Sequence, residues 1–214
     1  MRARAASRKN GSRSTIREEN EKAILEAAET VFAEFGYAGA STSRIAELAG
    51  LPKANLHYYF PTKEALYRRV IDAIFRIWLE AADSFDDCDD PVDALTVYIH
   101  AKMDLSRTNP KGSKVWATEI ISNAPMIQDY LDTELRQWTT SRTAIIEKWI
   151  AAGKIAAIEP EYLLYMIWAT TQHYADFGHQ VASLNGGREL TDAQFAAAKK
   201  TVTEIILRGI GAIR

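Results

Sequence analysis

The sequence predicts an all-α protein: a short N-terminal three-helix module followed by a larger helical bundle, with about nine helices in total. Three observations predict it. Apolar residues recur at i, i+3 and i+4 from about residue 18 almost to the C-terminus, and no stretch alternates with the period of a strand. The breaks between periodic runs carry Gly, Pro, Asn and Asp, which stop and restart helices. Near residue 60 the runs change from short, basic and tightly turned to long and rich in Trp, Ala and acids.

Each element follows from its residues. Ile24, Ala27, Ala28, Val31, Phe32 and Phe35 form the apolar stripe of a first helix, which Gly36 stops. Thr42 and Ser43 can cap a second, whose apolar side is Ile45, Leu48 and Ala49 and whose end is Gly50. A third covers about 53–60. After the Pro61-Thr62 turn a long fourth helix runs from Lys63 to about Phe85, with Thr62 as N-cap. DDCDDP is a polar break, and Pro91 suits the first turn of the next helix. Further helices are expected over about 91–107, 111–122, 126–151, 160–184 and 191–210. TNPKG, SNAP, AAGKIAAIEP and NGGREL separate them. No self-similarity at 20–50 residues suggests a repeat solenoid. The expected division is a basic disordered arm over 1–17, the three-helix module over 18–62 and the larger body over 63–214.

Composition narrows the function classes. A chain of 214 residues, 47% hydrophobic and 25% charged, can bury a core without metals or disulfides. Its single cysteine, Cys88, excludes an internal disulfide and a paired-cysteine zinc site. No run of about 18 apolar residues spans a membrane, and the basic N-terminus has no apolar segment behind it to make a secretory signal. The expectation is a cytoplasmic protein. There is no GxSxG, HExxH, phosphate loop or carboxylate–His set, so no enzyme and no cofactor are expected. His173 and Asp176 stand at i, i+3, too few ligands for a metal. Charge is unevenly placed. Residues 1–17 hold Arg2, Arg4, Arg8, Lys9, Arg13 and Arg17 and no acid, although acids outnumber bases 28 to 26 in the whole chain. The tail is either an arm attracted to a polyanion or a disordered, solvating leader.

The two short helices are joined by Ala49-Gly50-Leu51-Pro52, the sequence form of a helix-turn-helix, whose second helix enters a DNA major groove while the first braces it. Stepping 100° per residue along 53–60 puts Leu56 and Phe60 on one side with Tyr59 beside them, and Ala54, Asn55, His57 and Tyr58 on the other. The outward set suits double-stranded DNA. Tyr58 and Lys53 offer a hydroxyl and an ammonium to phosphates, Asn55 can pair with an adenine edge, and Ala54 permits close approach. Thr42, Ser43 and Arg44 at the start of the bracing helix, and Lys63 opening the fourth, would reach flanking phosphates. The alternative is a helical hairpin that merely closes the end of a bundle, with His57 a solvated surface residue.

The stretch ILEAAETVFAEFGYAGASTSRIAELAGLPKANLHYYFPTKEALYRRVI resembles the N-terminal domain of the TetR family of transcriptional repressors. The resemblance rests on VFAEFGY, on TSRIAELAG, on Lys53, Leu56, Tyr58 and Phe60, and on the KEAL that follows. It implies a homodimer that binds a palindromic operator and responds to a small molecule in its C-terminal domain. Pro52, His57 and Tyr59 depart from a family that often has Ser, Tyr and His there, which leaves the operator sequence open.

In the body, YLLYMIWATTQHYADF is apolar on nearly every side, so its helix is buried on more than one face. One face would meet a second subunit and another would line a cavity. The last helix places Phe195, Ala198, Val202, Ile205, Ile206 and Ile210 on one stripe, the other half of a homodimer interface through the last two helices. Trp168 and Gln172 lie at i, i+4, with Thr171 beside them. A flat indole next to an amide suits a planar polar heterocycle, unless Trp168 is core and Gln172 bonds locally. MIWATTQHYADF, with SRTNP, EIISNAP and WIAAGKIAAIEP, is similar to the RutR-like branch of pyrimidine-utilisation repressors. That similarity implies uracil or a related pyrimidine as effector. Trp78, Lys102, Glu119, Trp168, Thr171 and Gln172 are then expected in or near the pocket. Trp78 or Trp168 would stack on the ring and Glu119 would accept a ring N–H. Lys102 would meet a carbonyl or form a structural ion pair with Glu119. The remaining alternatives are a TetR-like regulator with an unrelated apolar or aromatic effector, or one with no small-molecule ligand.

Overall fold

A computed structural model of the chain describes residues 3–81, 85 and 88–213, with side chains from Thr15 onward. The described residues form ten helices and no strand. The first, α1, is Ala3–Gly39, an earlier start than the periodicity predicts. The arm expected over 1–17 lies largely outside the described side chains. Within α1, Gly36 takes φ +65 and ψ 178, a left-handed break open to glycine without a Cβ clash.

Two short helices follow, α2 (Thr42–Leu48) and α3 (Lys53–Tyr59). The cap of α2 is Ser41 rather than Thr42 or Ser43. Ser41 is extended and its Oγ accepts the Arg44 N–H at 3.2 Å, while Thr42 and Ser43 are already helical. After α2 the N–H groups of Ala49, Gly50 and Leu51 return to the carbonyls of Ile45, Glu47 and Ala46. Gly50 stands at φ +67, where a larger residue would be strained. α4 (Lys63–Glu80) opens with Thr62 Oγ1 accepting the Ala65 N–H at 3.0 Å. Ile24, Val31, Phe32, Ile45, Leu56, Phe60, Leu66 and Ile71 are buried in this first compact unit, Met1–Ala73. Tyr67 sits edge-to-face on Phe32 at 4.8 Å.

The second unit is Ile74–Arg214. α5 (Pro91–Thr108) is capped by Asp90, whose Oδ1 accepts the Val92 N–H at 2.8 Å, and α6 (Pro110–Ile121) by Asn109. α7 begins at Gln128–Tyr130, passes through a π-helical turn at Leu131–Leu135 and continues over Arg136–Ala151. The single helix expected over 160–184 is two, α8 (Pro160–Asp176) and α9 (Gly178–Leu184). Phe177 breaks it with φ −111 and ψ 26, its N–H closing onto His173 O before Gly178. α10 (Asp192–Gly209) starts with a reciprocal Thr191–Gln194 capping box. Leu95, Tyr98, Ile99 and Met103 of α5 pack with Ile146 and Trp149 of α7, Leu164 and Ile167 of α8, and Val202 and Ile206 of α10.

That packing corrects the interface stripe expected on α10. Phe195, Val202, Ile206 and Ile210 are buried in the chain's own core because this face of α10 lies against α5, and only Ile205 of the stripe is exposed. The large exposed apolar residues of α8 are Tyr162, Tyr165 and Met166. No helix among the described residues is long and apolar enough to cross a membrane.

Candidate functional site

In the first unit the helical period of α3 divides its residues between core and solvent. Leu56 is fully buried, while Lys53, Ala54, Asn55, His57 and Tyr58 are exposed, Tyr58 at 73%. Tyr59 is half-buried. Its hydroxyl accepts from Asn20 Nδ2 at 3.3 Å, and Tyr58 packs edge-to-face on it at 5.4 Å. Ser43 and Arg44 are exposed and Thr42 half-buried, with the Arg44 guanidinium 4.1 Å above the Phe35 ring. Lys63 is placed differently. Its ammonium donates to Tyr37 O at 2.8 Å and Ala40 O at 3.1 Å and lies 4.4 Å from the Tyr37 ring. It ties down the corner after Gly36, so its charge is committed inside the unit.

The second unit holds a cavity of about 560 Å³ lined by the C-terminal half of α4 and helices α5, α6, α7 and α8. Helical spacing assembles its walls. Trp168, Gln172 and Asp176 succeed one another at i, i+4 and i+8 on α8, and Tyr98 and Lys102 at i, i+4 on α5. Phe75 stacks on Trp116 at 5.6 Å and Trp78 meets Trp116 edge-on at 5.4 Å. Trp168 Nε1 donates to Tyr98 Oη at 2.8 Å. Burial pushes the Tyr98 phenol up, so the hydroxyl that accepts from Trp168 keeps its own proton to give. The Trp138 indole N–H is buried with no acceptor among the described residues.

Two charges share this apolar cavity. Lys102 is only 5% exposed, and its ammonium lies 4.3 Å from the Trp78 ring. Burial lowers its pKa from the usual 10.5 to about 8, against an opposing pull from Asp176. Among the described residues it has no hydrogen-bond acceptor and no ion-pair partner. Burial pushes the Asp176 carboxyl up. Ser113 Oγ, which donates to its Oδ1 at 2.6 Å, and the charges of Lys102 and His173 oppose that rise.

Of the residues the sequence points to, Trp78, Lys102, Trp168 and Gln172 line the cavity. Thr171 and Glu119 lie outside its lining. Thr171 is fully buried and donates to Ile167 O at 2.7 Å. Glu119 Oε1 accepts the Met126 N–H at 2.7 Å, closing a turn in which Asn123 and Ala124 stand at φ 67 and 51. The electrostatic partner of Lys102 is Asp176 rather than Glu119. Sequence reasoning missed Asp176, Ser113, Tyr98, Trp116 and Trp138. One more turn from Trp168 and Gln172 reaches Asp176. For the others, scattered over α5, α6 and α7, no local pattern marks the cavity.

Residues 24–70 match the model of the bacterial regulatory proteins of the tetR family, and residues 71–213 match that of the YcdC-like protein, C-terminal region. The HTH-type transcriptional regulator RutR of Escherichia coli K12 is 40% identical over 200 residues, 94% of each chain. The HTH-type transcriptional repressor NicS of Pseudomonas putida is 24% identical over 209 residues, 95% of this chain and 98% of its own. Two solved structures share the fold. AibR, in complex with isovaleryl coenzyme A and operator DNA, superposes with a TM-score of 0.69 at 20% identity, covering 86% of this chain and 97% of its own. The regulator PfmR of Thermus thermophilus does so with 0.68 at 19% identity, covering 86% and 94%.

Proposed function

Because the chain belongs to the TetR family of bacterial regulatory proteins, we propose that it is a cytoplasmic homodimeric repressor whose hold on a palindromic operator is governed by a pyrimidine such as uracil. That it is a DNA-binding transcription regulator, and not an enzyme, follows from the family. The rest is our reading. Residues 18–62 act as the DNA-binding module and 63–214 as the effector-binding and dimerising body, with a basic arm over 1–17.

On DNA, Asn55 reads a base edge, Ala54 lets the helix approach, and Lys53, His57 and Tyr58 meet phosphates beside Thr42, Ser43 and Arg44. Lys63 supports this surface from behind through its two carbonyl bonds. The homodimer forms through α8 and α10, and the exposed Tyr162, Tyr165, Met166 and Ile205 favour that face.

The observation that carries the effector reading is the aromatic cavity with an amide and a buried ammonium in its wall. Uracil presents alternating N–H and C=O groups in one plane. Gln172 can pair two of them, Lys102 can donate to a carbonyl, and Trp78 or Trp168 can cover the ring. Thr171 and Glu119 support the wall rather than touch the ligand. α4 carries Lys63 near its start and Trp78 near its end. An effector that binds one arrangement of the dimer better shifts the population toward it by that difference in affinity alone. The test is a thermal-shift screen of nucleobases followed by an operator gel shift with each hit. Uracil or thymine is expected to raise the melting temperature and alter DNA binding. If neither does, the pyrimidine assignment falls and the regulator assignment stands.

A larger apolar effector is the second reading, favoured by the cavity's size. About 560 Å³ lies within the roughly 300–1,000 Å³ typical of pockets for larger organic ligands and leaves room beyond one ring.

A further inference from the structure

The cavity holds one buried cation and one carboxylate, and the two are not joined. Lys102 comes from α5 and Asp176 from α8. Each feels the other's charge, yet neither side chain forms an ion pair with the other. Ser113 on α6 fixes the Asp176 carboxylate by a 2.6 Å hydrogen bond to Oδ1, which leaves Oδ2 for another donor. The Lys102 ammonium rests against Trp78 with its protons unclaimed by any acceptor among the described residues. Gln172, one turn before Asp176, adds a donor and an acceptor to the same wall. A buried ammonium and a half-buried carboxylate held apart in this way are satisfied by a ligand that accepts from one side and donates to the other.

We infer that Lys102 and Asp176, the latter held by Ser113, form a charge-balanced clamp that selects a neutral ligand carrying an N–H next to a C=O and rejects the same ring bearing a carboxylate. The clamp rests on the effector reading above and makes it more specific. Asp176 takes the ring N–H, the part the sequence assigns to Glu119, and Lys102 takes the neighbouring carbonyl. Because the two charges cancel, an anionic ligand brings an uncompensated charge against a largely apolar wall and is disfavoured. Ser113 is a positioning residue, since it acts through Asp176.

The experiment is calorimetric titration of the full-length protein with uracil, with uracil-6-carboxylate and with the neutral uracil-6-carboxamide, which matches the carboxylate in size. The wild type is expected to bind uracil and the carboxamide and to discriminate against the carboxylate. Asp176→Asn removes the negative charge and leaves Lys102 uncompensated. It is expected to lose about 10–100-fold in uracil affinity and to gain affinity for the carboxylate. Ser113→Ala should weaken uracil by a smaller factor and keep the order of preference. Lys102→Met should weaken uracil and still reject the carboxylate, and it gives the mirror test should Asp176→Asn not fold.

A gain of the anion is something a merely structural role of Asp176 does not produce. The clamp is overturned if Asp176→Asn keeps the wild-type preference, if Lys102→Met binds uracil as well as the wild type, or if the wild type rejects carboxamide and carboxylate equally, which makes size the filter. In each of these cases wild-type uracil binding leaves the effector reading intact. A wild type that binds no neutral pyrimidine overturns both.

Discussion

In the first unit the side chains assigned to DNA stand outside the core, on a seven-residue helix that buries little more than Leu56. In the second unit the side chains assigned to the effector stand inside, gathered from several helices around one cavity. The difference decides how function and stability are coupled. An exposed side chain such as Asn55 or Tyr58 can be exchanged with little effect on folding, because solvent already surrounds it. The buried Lys102 and the half-buried Asp176 hold charge against a largely apolar wall, so a change there alters the fold and the site together.

The sharpest way to break this comparison is Leu56→Ala. Leu56 is fully buried, and its truncation should cost about 2–5 kcal/mol in the stability of the first unit. DNA binding is then expected to disappear while uracil still binds with wild-type affinity, as read by calorimetry. Loss of both would show that the two sites are not separable.

Lys63→Met comes next. The lost ammonium leaves Tyr37 O and Ala40 O without their donor, so the variant should be about 1–3 kcal/mol less stable in urea unfolding. The dependence of DNA affinity on salt should keep its slope, because Lys63 is proposed to make no phosphate contact. A slope reduced by about one unit would restore Lys63 to the phosphate-contacting set.

Asn55→Ala sharpens the comparison from the exposed side. Stability should change by less than about 0.5 kcal/mol. Discrimination between the operator and a single-base variant should fall by about 1–2 kcal/mol. Tyr58→Ala should weaken every sequence alike. If Asn55→Ala behaves the same way, it is not a base reader.

The same contrast explains what could be read in advance. Helix existence was legible because each amphipathic run ends in residues with a steric reason to end it, as Gly36 and Gly50 do with their left-handed backbones. The outward face of α3 was legible because one helical period decides it. Ser41 was missed as the α2 cap because Ser41, Thr42 and Ser43 offer three hydroxyls in a row, and only backbone geometry distinguishes them. The α10 stripe was misassigned because periodicity reveals an apolar face but not whether the chain's own core or a second copy covers it. By spacing the cavity was legible only along α8, where Trp168 and Gln172 share one stripe, while Trp78 and Lys102 were reached through the family resemblance. Trp116 and Trp138 join it through packing between distant segments, which no local spacing encodes.

The smallest effect is a pH dependence that should run in opposite directions for stability and for binding. In the folded protein without ligand Lys102 gives up its proton at about pH 8, whereas the unfolded chain holds it to the usual 10.5. Between those values the unfolded state binds more protons, so Lys102 makes stability rise as pH rises through that window. Below pH 8 both states are protonated, and the desolvation of the ammonium persists in full. Uracil affinity should move the other way, since a neutral amine donates less strongly to a carbonyl than an ammonium does. From pH 7 to 9 the Lys102 contribution to affinity should weaken by no more than about tenfold, roughly 1.4 kcal/mol. Lys102→Met, compared at each pH, removes the background titration of the other groups and of uracil itself. Both pH effects should be missing from that variant. If uracil affinity in the wild type follows the variant at every pH, Lys102 does not touch the ligand, and its buried charge belongs to the fold alone.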